Sequence, residues 1–414
     1  MIARAGAALV VAAGCGRLGF EPCGDPARVC LANELGASGG PVDTGLAAPV
    51  LLFQPDYASM APDLGGAVQR GGVDEVYSLG VYEDPVAGRT KLFVNDRLNN
   101  RVLIFSDVPE RSGVLPDVVV GQVDFTSGAA NAGQTGPNAV GLNDPTDVNV
   151  CGTGEMFISD ANNHRVLVWR HVPEVSGTPA DFVLGQPDFT TATLGTGPAT
   201  FARPYAAQCI DRRLFVTEHD NSRILIYDPV PTSGAALPAH VIGQPDFTSK
   251  TPGCSATQLS NEAYEIVHHD GRYYVADGAN QRVLVYDDSF ATGNSMPIAV
   301  LGQPDFTSCA INRGSAAPDA ATFNFPNGVA ARDDVLAVSD HENHRIVFYR
   351  LPVATGDAAF AVLGQASLGE AVVKVPPDAG SLSRTKGLVF DGDFVWTTDV
   401  DNNRVVAMRL PTGG

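Results

Sequence analysis

The residues best suited to chemistry in this chain recur as a set. Each set has an acidic residue, an asparagine three positions later and an arginine five positions later. The six instances are Asp96, Asn99, Arg101; Asp160, Asn163, Arg165; Glu218, Asn221, Arg223; Asp277, Asn280, Arg282; Asp340, Asn343, Arg345; and Asp399, Asn402, Arg404. A ring of six carboxylates would suit a cation. However, asparagine tolerates left-handed turns and arginine forks onto carboxylates, so a set present in every repeat is interpreted as structural.

A second motif recurs between these sets and defines the repeating unit. Apolar segments end in a Gly-Gln-Pro-Asp-Phe box at 121–125 (with Val123 in place of Pro), 185–189, 243–247 and 302–306, with a degraded copy at 364–368. Successive acidic residues of the first motif are 64, 58, 59, 63 and 59 residues apart, which suits four strands and a loop. The segments around each set are continuously apolar, as in sheets buried on both faces. Four-stranded units repeated radially predict an all-β, six-bladed β-propeller.

The order of the motifs predicts how the ring closes. A sixth Gln box, at 53–57, precedes the first acidic-Asn-Arg set, and none follows the last set. The last unit therefore lacks its fourth strand, strand d. We expect Val50 to Gln54 to supply it by pairing antiparallel with Val405 to Met408, which would hide both free sheet edges.

This pattern of an apolar strand, Asp, Asn, Arg and a second apolar strand resembles the NHL repeat, a propeller family, over about residues 49–411. The resemblance implies the fold and leaves function open, because the family includes RNA-binding, protein-binding and lyase members. This chain departs from it by long stretches after strand d, at 126–143, 190–202 and 307–324. We expect these stretches to lie on the same face as the turns between strands b and c.

Histidines are the remaining candidates for catalysis or metal binding. Four belong to the b–c turns: His164, His219, His341 and His344. His268 and His269 end the innermost strand of the fourth blade and are expected nearer the axis, but no other blade offers a histidine there. The lyases of the resembled family bind zinc through channel histidines. We predict no metal ligands and no cofactor, and a divalent metal in the channel remains open.

Composition limits the partners. The formal charge is −19 and the chain is 44% hydrophobic with 18% charged residues. A phosphate backbone would be repelled, so no nucleic-acid partner is expected. No Gly-x-Ser-x-Gly, Walker or dinucleotide motif occurs.

The N-terminus predicts export. Arg4 precedes a small apolar run that is too short to span a bilayer and ends in Ala12-Ala13-Gly14-Cys15, which resembles a bacterial lipobox. An ordinary signal peptide with a chance cysteine is the alternative. We predict a signal peptide at 1–15, a flexible tether at 16–48 and the propeller at 49–414. The protein would then be a monomer in the cell envelope, with Cys15 as its lipid anchor, or would be secreted.

Six cysteines remain if Cys15 is lipidated. Cys151 and Cys209 each precede their acidic residue by nine positions, which places them at one height on neighbouring inner strands. Reduced, buried thiols are the alternative for this pair. Cys254 and Cys309 fall in the loops after consecutive Gln boxes. We therefore expect two disulfides, Cys151–Cys209 and Cys254–Cys309, together with a local Cys23–Cys30 bridge.

The function expected from the sequence is recognition. A rigid disc would display its long loops and b–c turns on one face to a protein, small-molecule or glycan ligand. A metal-dependent lyase or hydrolase with its site at the channel mouth is the alternative. The sequence does not name the ligand.

Overall fold

Six four-stranded antiparallel sheets form a ring in the computed structural model, which describes residues 50–294, 296–392 and 394–409. The predicted signal peptide, tether, Cys15, Cys23 and Cys30 lie outside these residues. Within them no helix is long and apolar enough to cross a bilayer. The all-β, six-bladed propeller is thereby confirmed.

Each blade is a meander of strands a to d from the axis outward, numbered here in chain order. The first three blades contain β2 to β13: β2 (Val76–Asp84), β3 (Arg89–Asp96), β4 (Arg101–Phe105), β5 (Val118–Val120); β6 (Pro145–Val150), β7 (Met156–Asp160), β8 (Arg165–Trp169), β9 (Phe182–Leu184); β10 (Pro204–Ile210), β11 (Arg213–Glu218), β12 (Arg223–Tyr227), β13 (His240–Ile242).

The last three blades contain β14 to β24 and the N-terminal strand β1: β14 (Ala263–His269), β15 (Arg272–Asp277), β16 (Arg282–Asp287), β17 (Ala299–Leu301); β18 (Pro326–Arg332), β19 (Val335–Asp340), β20 (Arg345–Arg350), β21 (Ala361–Leu363); β22 (Thr385–Asp391), β23 (Phe394–Asp399), β24 (Arg404–Arg409), β1 (Val50–Leu52).

Short 3-10 turns interrupt the loops. They span Pro62–Gly65, Ala130–Gly133, Ala161–Asn163, Gly278–Asn280, Asp288–Thr292, Ile311–Gly314, His341–Asn343 and Val400–Asn402.

The ring is closed by the two ends of the described chain, as predicted. In the sixth blade β1 pairs antiparallel with β24, with Leu51 opposite Val406. Phe53 packs against Phe105 of the first blade with ring centroids 6.0 Å apart. The strand ends at Leu52, because Phe53 adopts a left-handed backbone with φ of 69° and Gln54 begins the loop.

The apolar runs of strands b and c are buried because each blade is covered on both faces by its neighbours. Phe93 of one sheet face packs with Val148 and Ile158 of the second blade, while Leu92 packs in the cluster that contains β1. The inner strands approach so closely that a Cβ on Gly328 would lie 1.9 Å from the Lys386 carbonyl oxygen, which only glycine avoids.

The outer strand of a blade is protected by the blade that follows it. The Leu51 N–H of β1 donates to Ser112 Oγ at 2.9 Å, and the Gly113 N–H donates back to the Leu51 carbonyl at 3.3 Å. Val119 of β5 and Val300 of β17 make the same pair of bonds with a Ser-Gly and a Thr-Gly of their next blades. These c–d loops thus cover edges that would otherwise be open to pairing with other chains.

Deletion of residues 49–57 should leave β24 and the first blade uncovered, because it removes β1 and the contacts of Gln54 and Tyr57 with the last b–c turn. We expect aggregation or a large loss of thermal stability. Thermal melting and size-exclusion chromatography measure it. A truncated protein that melts like its parent would contradict closure by the N-terminal strand.

Candidate functional site: the channel mouth

The six motif arginines are buried hubs that bind loops from both ends of their own blade. In the fourth blade Arg282 donates through Nε to Asp277 at 2.8 Å and through Nη1 to the Phe306 carbonyl at 2.6 Å. Its Nη2 donates to the carbonyls of Ser255 and Gln258, both at 2.9 Å, in the loop that leads into strand a. The five other arginines repeat this arrangement, and all six are 0% exposed.

The motif carboxylates are equally enclosed. Asp96 accepts from Arg101, from Asn99 and from the backbone N–H of Asp74. Burial raises its pKa to about 6, against the opposing effect of Arg101. Burial likewise raises the pKa values of Asp160, Glu218, Asp340 and Asp399. Carboxylates that are fully buried and already bonded do not form an open cation ring.

The motif asparagine itself does not adopt a left-handed backbone. Asn163 lies in a 3-10 turn and donates Nδ2 to Asp160 at 2.8 Å. The left-handed residue is the next one, and its side chain reaches the following blade: His164 Nδ1 accepts from the Arg203 N–H and His344 Nδ1 accepts from the Arg384 N–H, both at 3.2 Å. Burial lowers the pKa of both histidines, which keeps Nδ1 free to accept.

The Gln box closes the same turn from the outside. Gln303 donates Nε2 to the Gln281 carbonyl at 3.0 Å and to the Ala310 carbonyl at 2.9 Å. Asp305 accepts from Thr307 two residues later. The loops after strand d therefore pack around the b–c turns, as the sequence analysis expected of their common face.

The mouth of the channel, on this loop-rich face, has no such repetition. One ring is formed by the residues just before each strand a: Glu75, Asp144, Arg203, Glu262, Phe325 and Arg384. A second is formed by the first residues of the b–c turns: Arg97, Ala161, His219, Gly278, His341 and Val400. These positions carry charged, aromatic or small residues. The pair of residues that one blade contributes, one to each ring, differs from the pair of every other blade.

Ion pairs connect these residues across blades. Arg97 bonds Glu75 at 2.6 Å and Asp144 at 2.5 Å, and its guanidinium lies 4.6 Å from the Tyr77 ring centroid. Arg384, on the other side, lies 3.3 Å from Glu342 and 3.7 Å from Asp401 while its side chain stays 48% exposed. A cavity of about 430 Å³ where the first, fifth and sixth blades meet at the mouth is lined by Glu75, Tyr77, Arg97, His341, Arg384 and Asp401, among others.

The two mouth histidines are in opposite electrostatic environments. His341 is buried and bonds the Thr385 carbonyl through Nδ1, and burial lowers its pKa to about 3. Burial also acts to lower the pKa of His219, but hydrogen bonds to Glu262 and Asp220 outweigh it, so that pKa is raised. His219 stacks on Tyr205 with ring centroids 4.9 Å apart.

Below the mouth the channel is blocked by a lysine. The Lys386 Nζ lies 3.3 Å from the Tyr77 ring centroid, 4.8 Å from that of Tyr264 and 5.6 Å from that of Tyr205. These rings come from three different blades, so the ammonium lies close to the axis. The repeat pattern does not point to this group. A signal existed, because Tyr205, Tyr264, Asn327 and Lys386 each stand 13 residues before their acidic residue, a register shared by two tyrosines, an asparagine and a lysine.

His268 and His269 end β14, the innermost strand of the fourth blade, as expected. His268 lies 2.7 Å from Asp211 and 2.9 Å from Asp288, and its ring stacks on Tyr273. His269 bonds the carbonyl of Asp333. Across residues 50–294, 296–392 and 394–409 no three His, Cys, Asp or Glu side chains converge as metal ligands.

The cysteines divide into one bridge and one free pair. Cys151 and Cys209 form the expected disulfide, with Cα atoms 5.1 Å apart. The expected Cys254–Cys309 bridge is not formed, and both thiols are free. The Cys254 Sγ donates to the Thr307 carbonyl at 3.3 Å, and burial raises the pKa of this thiol to about 12.

Comparison with known proteins agrees on the fold. The NHL repeat family matches residues 323–349, which include the acidic-Asn-Arg set of the fifth blade. No curated protein matches the chain significantly. Similar solved structures include an auxiliary nutrient binding protein from Bacteroides thetaiotaomicron, which is 12% identical with a TM-score of 0.49 over 88% of this chain and 76% of that one.

Two further structures are similar at the same distant level. The WD40 propeller domain of Doa1 is 10% identical with a TM-score of 0.44 over 85% of this chain and 95% of that one. Virginiamycin B lyase from Staphylococcus aureus is 12% identical with a TM-score of 0.42 over 81% and 95%. At these identities the likeness concerns the fold alone.

The histidine environments predict a pH dependence of stability. His341 has a lowered pKa in the folded protein. Below a pH of about 6.5 this side chain is therefore protonated in the unfolded chain but remains neutral in the folded chain. Stability should therefore fall as the pH drops from about 6.5 towards 3, by up to about 1.4 kcal/mol per pH unit for this proton.

The variant His341→Gln should flatten this acid-side loss in urea unfolding curves measured at several pH values. His219→Gln is the matched control of opposite sign. Its raised pKa adds stability at low pH that is lost as the pH rises, so removing it should steepen the acid-side loss. Equal slopes in both variants would show that the described environments are wrong.

Proposed function

Because the chain is a six-bladed β-propeller that carries NHL repeats, we propose that it is a binding protein and that its ligand or partner meets the face with the channel mouth. The long loops after strand d flank this mouth and supply further contact area. Loops held by a rigid scaffold are where binding residues concentrate.

One observation carries the proposal: the difference between repeated and unrepeated positions. Side chains that recur in every blade, such as Arg282 and Gln303, donate their hydrogen bonds to backbone carbonyls of the protein itself. The two mouth positions lie at the same places in the backbone of every blade, but each blade carries a different pair of residues there. A fold needs no such variety there, since Ala161 and Gly278 occupy the positions of Arg97 and His341. The variety is explained if an asymmetric ligand is recognised.

The charge of the mouth supports recognition of a polar ligand. Arg384 is half exposed, and Arg203 leaves its Nε without a hydrogen bond among the described residues although that atom is buried. Asp74 lines the same cavity as Arg384, and burial together with Asp63 and Glu75 raises its pKa. Groups of both signs thus remain available above the tyrosines.

We also propose that the protein acts outside the cytoplasm as a lipid-anchored module. The lipobox-like Ala12 to Cys15 and the tether at 16–48 support anchoring, and the Cys151–Cys209 disulfide suits an oxidising compartment. Mass spectrometry of the mature N-terminus checks this. A diacylated Cys15 is expected, and an unmodified residue at the cleavage site would overturn it.

Site-specific photo-crosslinking tests the binding face. Leu194, in the loop that leads from strand d of the second blade into the third, is 50% exposed, and Leu237, in the c–d loop of the third blade on the opposite face, is 58% exposed. A photo-reactive residue at 194 should give crosslinked products in cells, whereas one at 237 should give none. Equal or reversed labelling would refute the assignment of the face.

Charge reversal at the mouth provides the specificity control. Arg384→Glu places a carboxylate beside Glu342 and Asp401 and should abolish the crosslinks from position 194. Arg332→Glu changes an arginine of similar exposure in an a–b turn, paired with Asp333 at 3.3 Å, and should leave the crosslinks unchanged. Crosslinks that survive Arg384→Glu would mean that the mouth does not take part.

A further inference from the structure

Two loops meet beside each arginine hub. The loop that enters the blade offers backbone carbonyls to Nη2 of the arginine, and the loop that leaves the blade offers the last carbonyl of its Gln box to Nη1. In the first blade, Val68 precedes the first carbonyl bonded by Nη2, and Gly128 stands three residues after the carbonyl bonded by Nη1. A Cβ on Gly128 would lie 2.9 and 3.4 Å from the two methyl carbons of Val68. Side chains at these two positions are therefore direct neighbours.

The fourth blade has cysteines at both of these positions. Cys254 precedes the first carbonyl that Nη2 of Arg282 bonds, and Cys309 stands three residues after the carbonyl that Nη1 bonds. The remaining blades have Pro137 with Ala192, Thr196 with Lys250, Pro318 with Ala371, and Pro377 with Met60. Only one blade therefore carries thiols where the two loops meet, and it carries two.

The two thiols interact without a covalent bond. Both cysteines are free in the structure. The Cys254 Sγ donates to the carbonyl of Thr307, two residues before Cys309, at 3.3 Å. Burial, together with a hydrogen bond to the Cys309 side chain, raises the pKa of the Cys254 thiol. The loops already hold the two sulfur atoms side by side, so a bridge calls for side-chain rotation and not for a new loop conformation.

Accessibility distinguishes this pair from the other two described cysteines. Cys151 is 2% exposed and is already joined to Cys209 between neighbouring inner strands. Cys309 is exposed, and Cys254 is partly exposed. Thiol–disulfide exchange needs a sulfur atom that an incoming reagent can reach. The pair in the loops meets this requirement, whereas the buried sulfur of Cys151 does not.

We propose that Cys254 and Cys309 form a reversible redox site, at which a small-molecule disulfide oxidises the two thiols to a bridge between the loops on either side of the fourth blade. The structure represents the reduced state of this site. The sequence predicted a permanent bridge here, and the free, neighbouring thiols point instead to a bridge that opens and closes. The inference does not depend on what the mouth binds.

The oxidation proceeds by two exchange steps. Because burial raises the pKa of the Cys254 thiol to about 12, the exposed Cys309 is the first nucleophile. Its thiolate attacks one sulfur of the oxidant and releases the other half as a thiol, which leaves a mixed disulfide on Cys309. Cys254 then gives up its proton and attacks the Cys309 Sγ, which releases the second half. The protein loses two protons and two electrons, and the oxidant becomes two thiols.

The bridge would act on one side of the channel mouth. The loop at 243–262, which contains Cys254, ends in the mouth residue Glu262, and the loop at 302–325, which contains Cys309, ends in the mouth residue Phe325. In the reduced protein these loops are joined through the hydrogen bonds of Arg282. Oxidation would add a covalent link at the same place, so the two loops would become more rigid.

Titration of the purified protein with oxidised and reduced glutathione tests the site. Free thiols are alkylated at each ratio, the peptides are mapped by mass spectrometry, and thermal melting is recorded. Oxidised glutathione should remove the thiols of Cys254 and Cys309 together and leave no glutathione on the protein, and dithiothreitol should restore both thiols. Because the bridge constrains the unfolded chain across a long loop, the melting temperature should rise by roughly 3–5 °C.

Two variants provide the controls. In Cys254→Ser the remaining Cys309 should retain one glutathione, because no second thiol displaces it. The double variant Val68→Cys, Gly128→Cys, made in a protein with Cys254→Ser and Cys309→Ser, moves the pair to the same positions of the first blade. It should form a bridge under the same conditions, since side chains there are direct neighbours.

The outcomes that overturn the inference are distinct. Glutathione retained on both thiols of the parent protein, or disulfide-linked dimers, would show that the two sulfur atoms do not meet within one chain. A bridge that resists dithiothreitol in the folded protein would be permanent and not reversible. A folded first-blade variant that stays reduced would show that the two loop positions do not bring side chains together.

Discussion

The structure depends on six buried arginines that each tie one turn to two loops. An ion pair taken fully out of water gains stability only if its remaining hydrogen-bonding groups are also satisfied. Each guanidinium here meets that condition, since it bonds a carboxylate, the loop that enters its blade and the loop that leaves it. Long loops that carry few apolar residues are thereby fixed without a core of their own.

This arrangement explains why the chain can carry a functional surface that differs from blade to blade. The hydrogen bonds that recur in every blade fix the backbone of the mouth. The side chains at the mouth are therefore not needed to hold that backbone in place. Arg97 and Ala161 occupy the same position in their blades. Arg97 forms ion pairs with Glu75 and Asp144, whereas Ala161 has no charge with which to form one. The channel below the mouth extends the principle inward, where Lys386 meets three tyrosines of other blades.

Repetition was the part of the structure that could be predicted from sequence. The six blades, the closing strand β1 and the Cys151–Cys209 bridge all follow from counting equal offsets, because equal offsets in a radial array mean equal heights. Side-chain direction within a loop does not follow from offsets. The Cys254 thiol donates to the Thr307 carbonyl, and the expected bridge to Cys309 is not formed.

The site was harder to predict than the fold because its residues are defined by not repeating. Lys386 stands between Thr385 and Gly387 in an otherwise ordinary inner strand, and no pattern marks it until the six inner strands are aligned and compared. The Ser-Gly and Thr-Gly pairs that cover the outer strands also repeat, with Ser112, Ser176 and Thr355 standing 11, 11 and 10 residues after their arginines, but they escaped notice.

Chemical denaturation of Arg282→Met and of Arg89→Met measures the central claim directly. Arg282 is fully buried against Asp277, whereas Arg89 forms an exposed pair with Asp107 at 2.9 Å. Loss of the buried hub should reduce the free energy of unfolding by about 3–5 kcal/mol, because Asp277 and three loop carbonyls lose their donor. Loss of the exposed pair should cost far less, because solvent screens the attraction between Arg89 and Asp107. Equal, small losses in both variants would contradict the account, since the loops would then be held by something other than the arginine hubs.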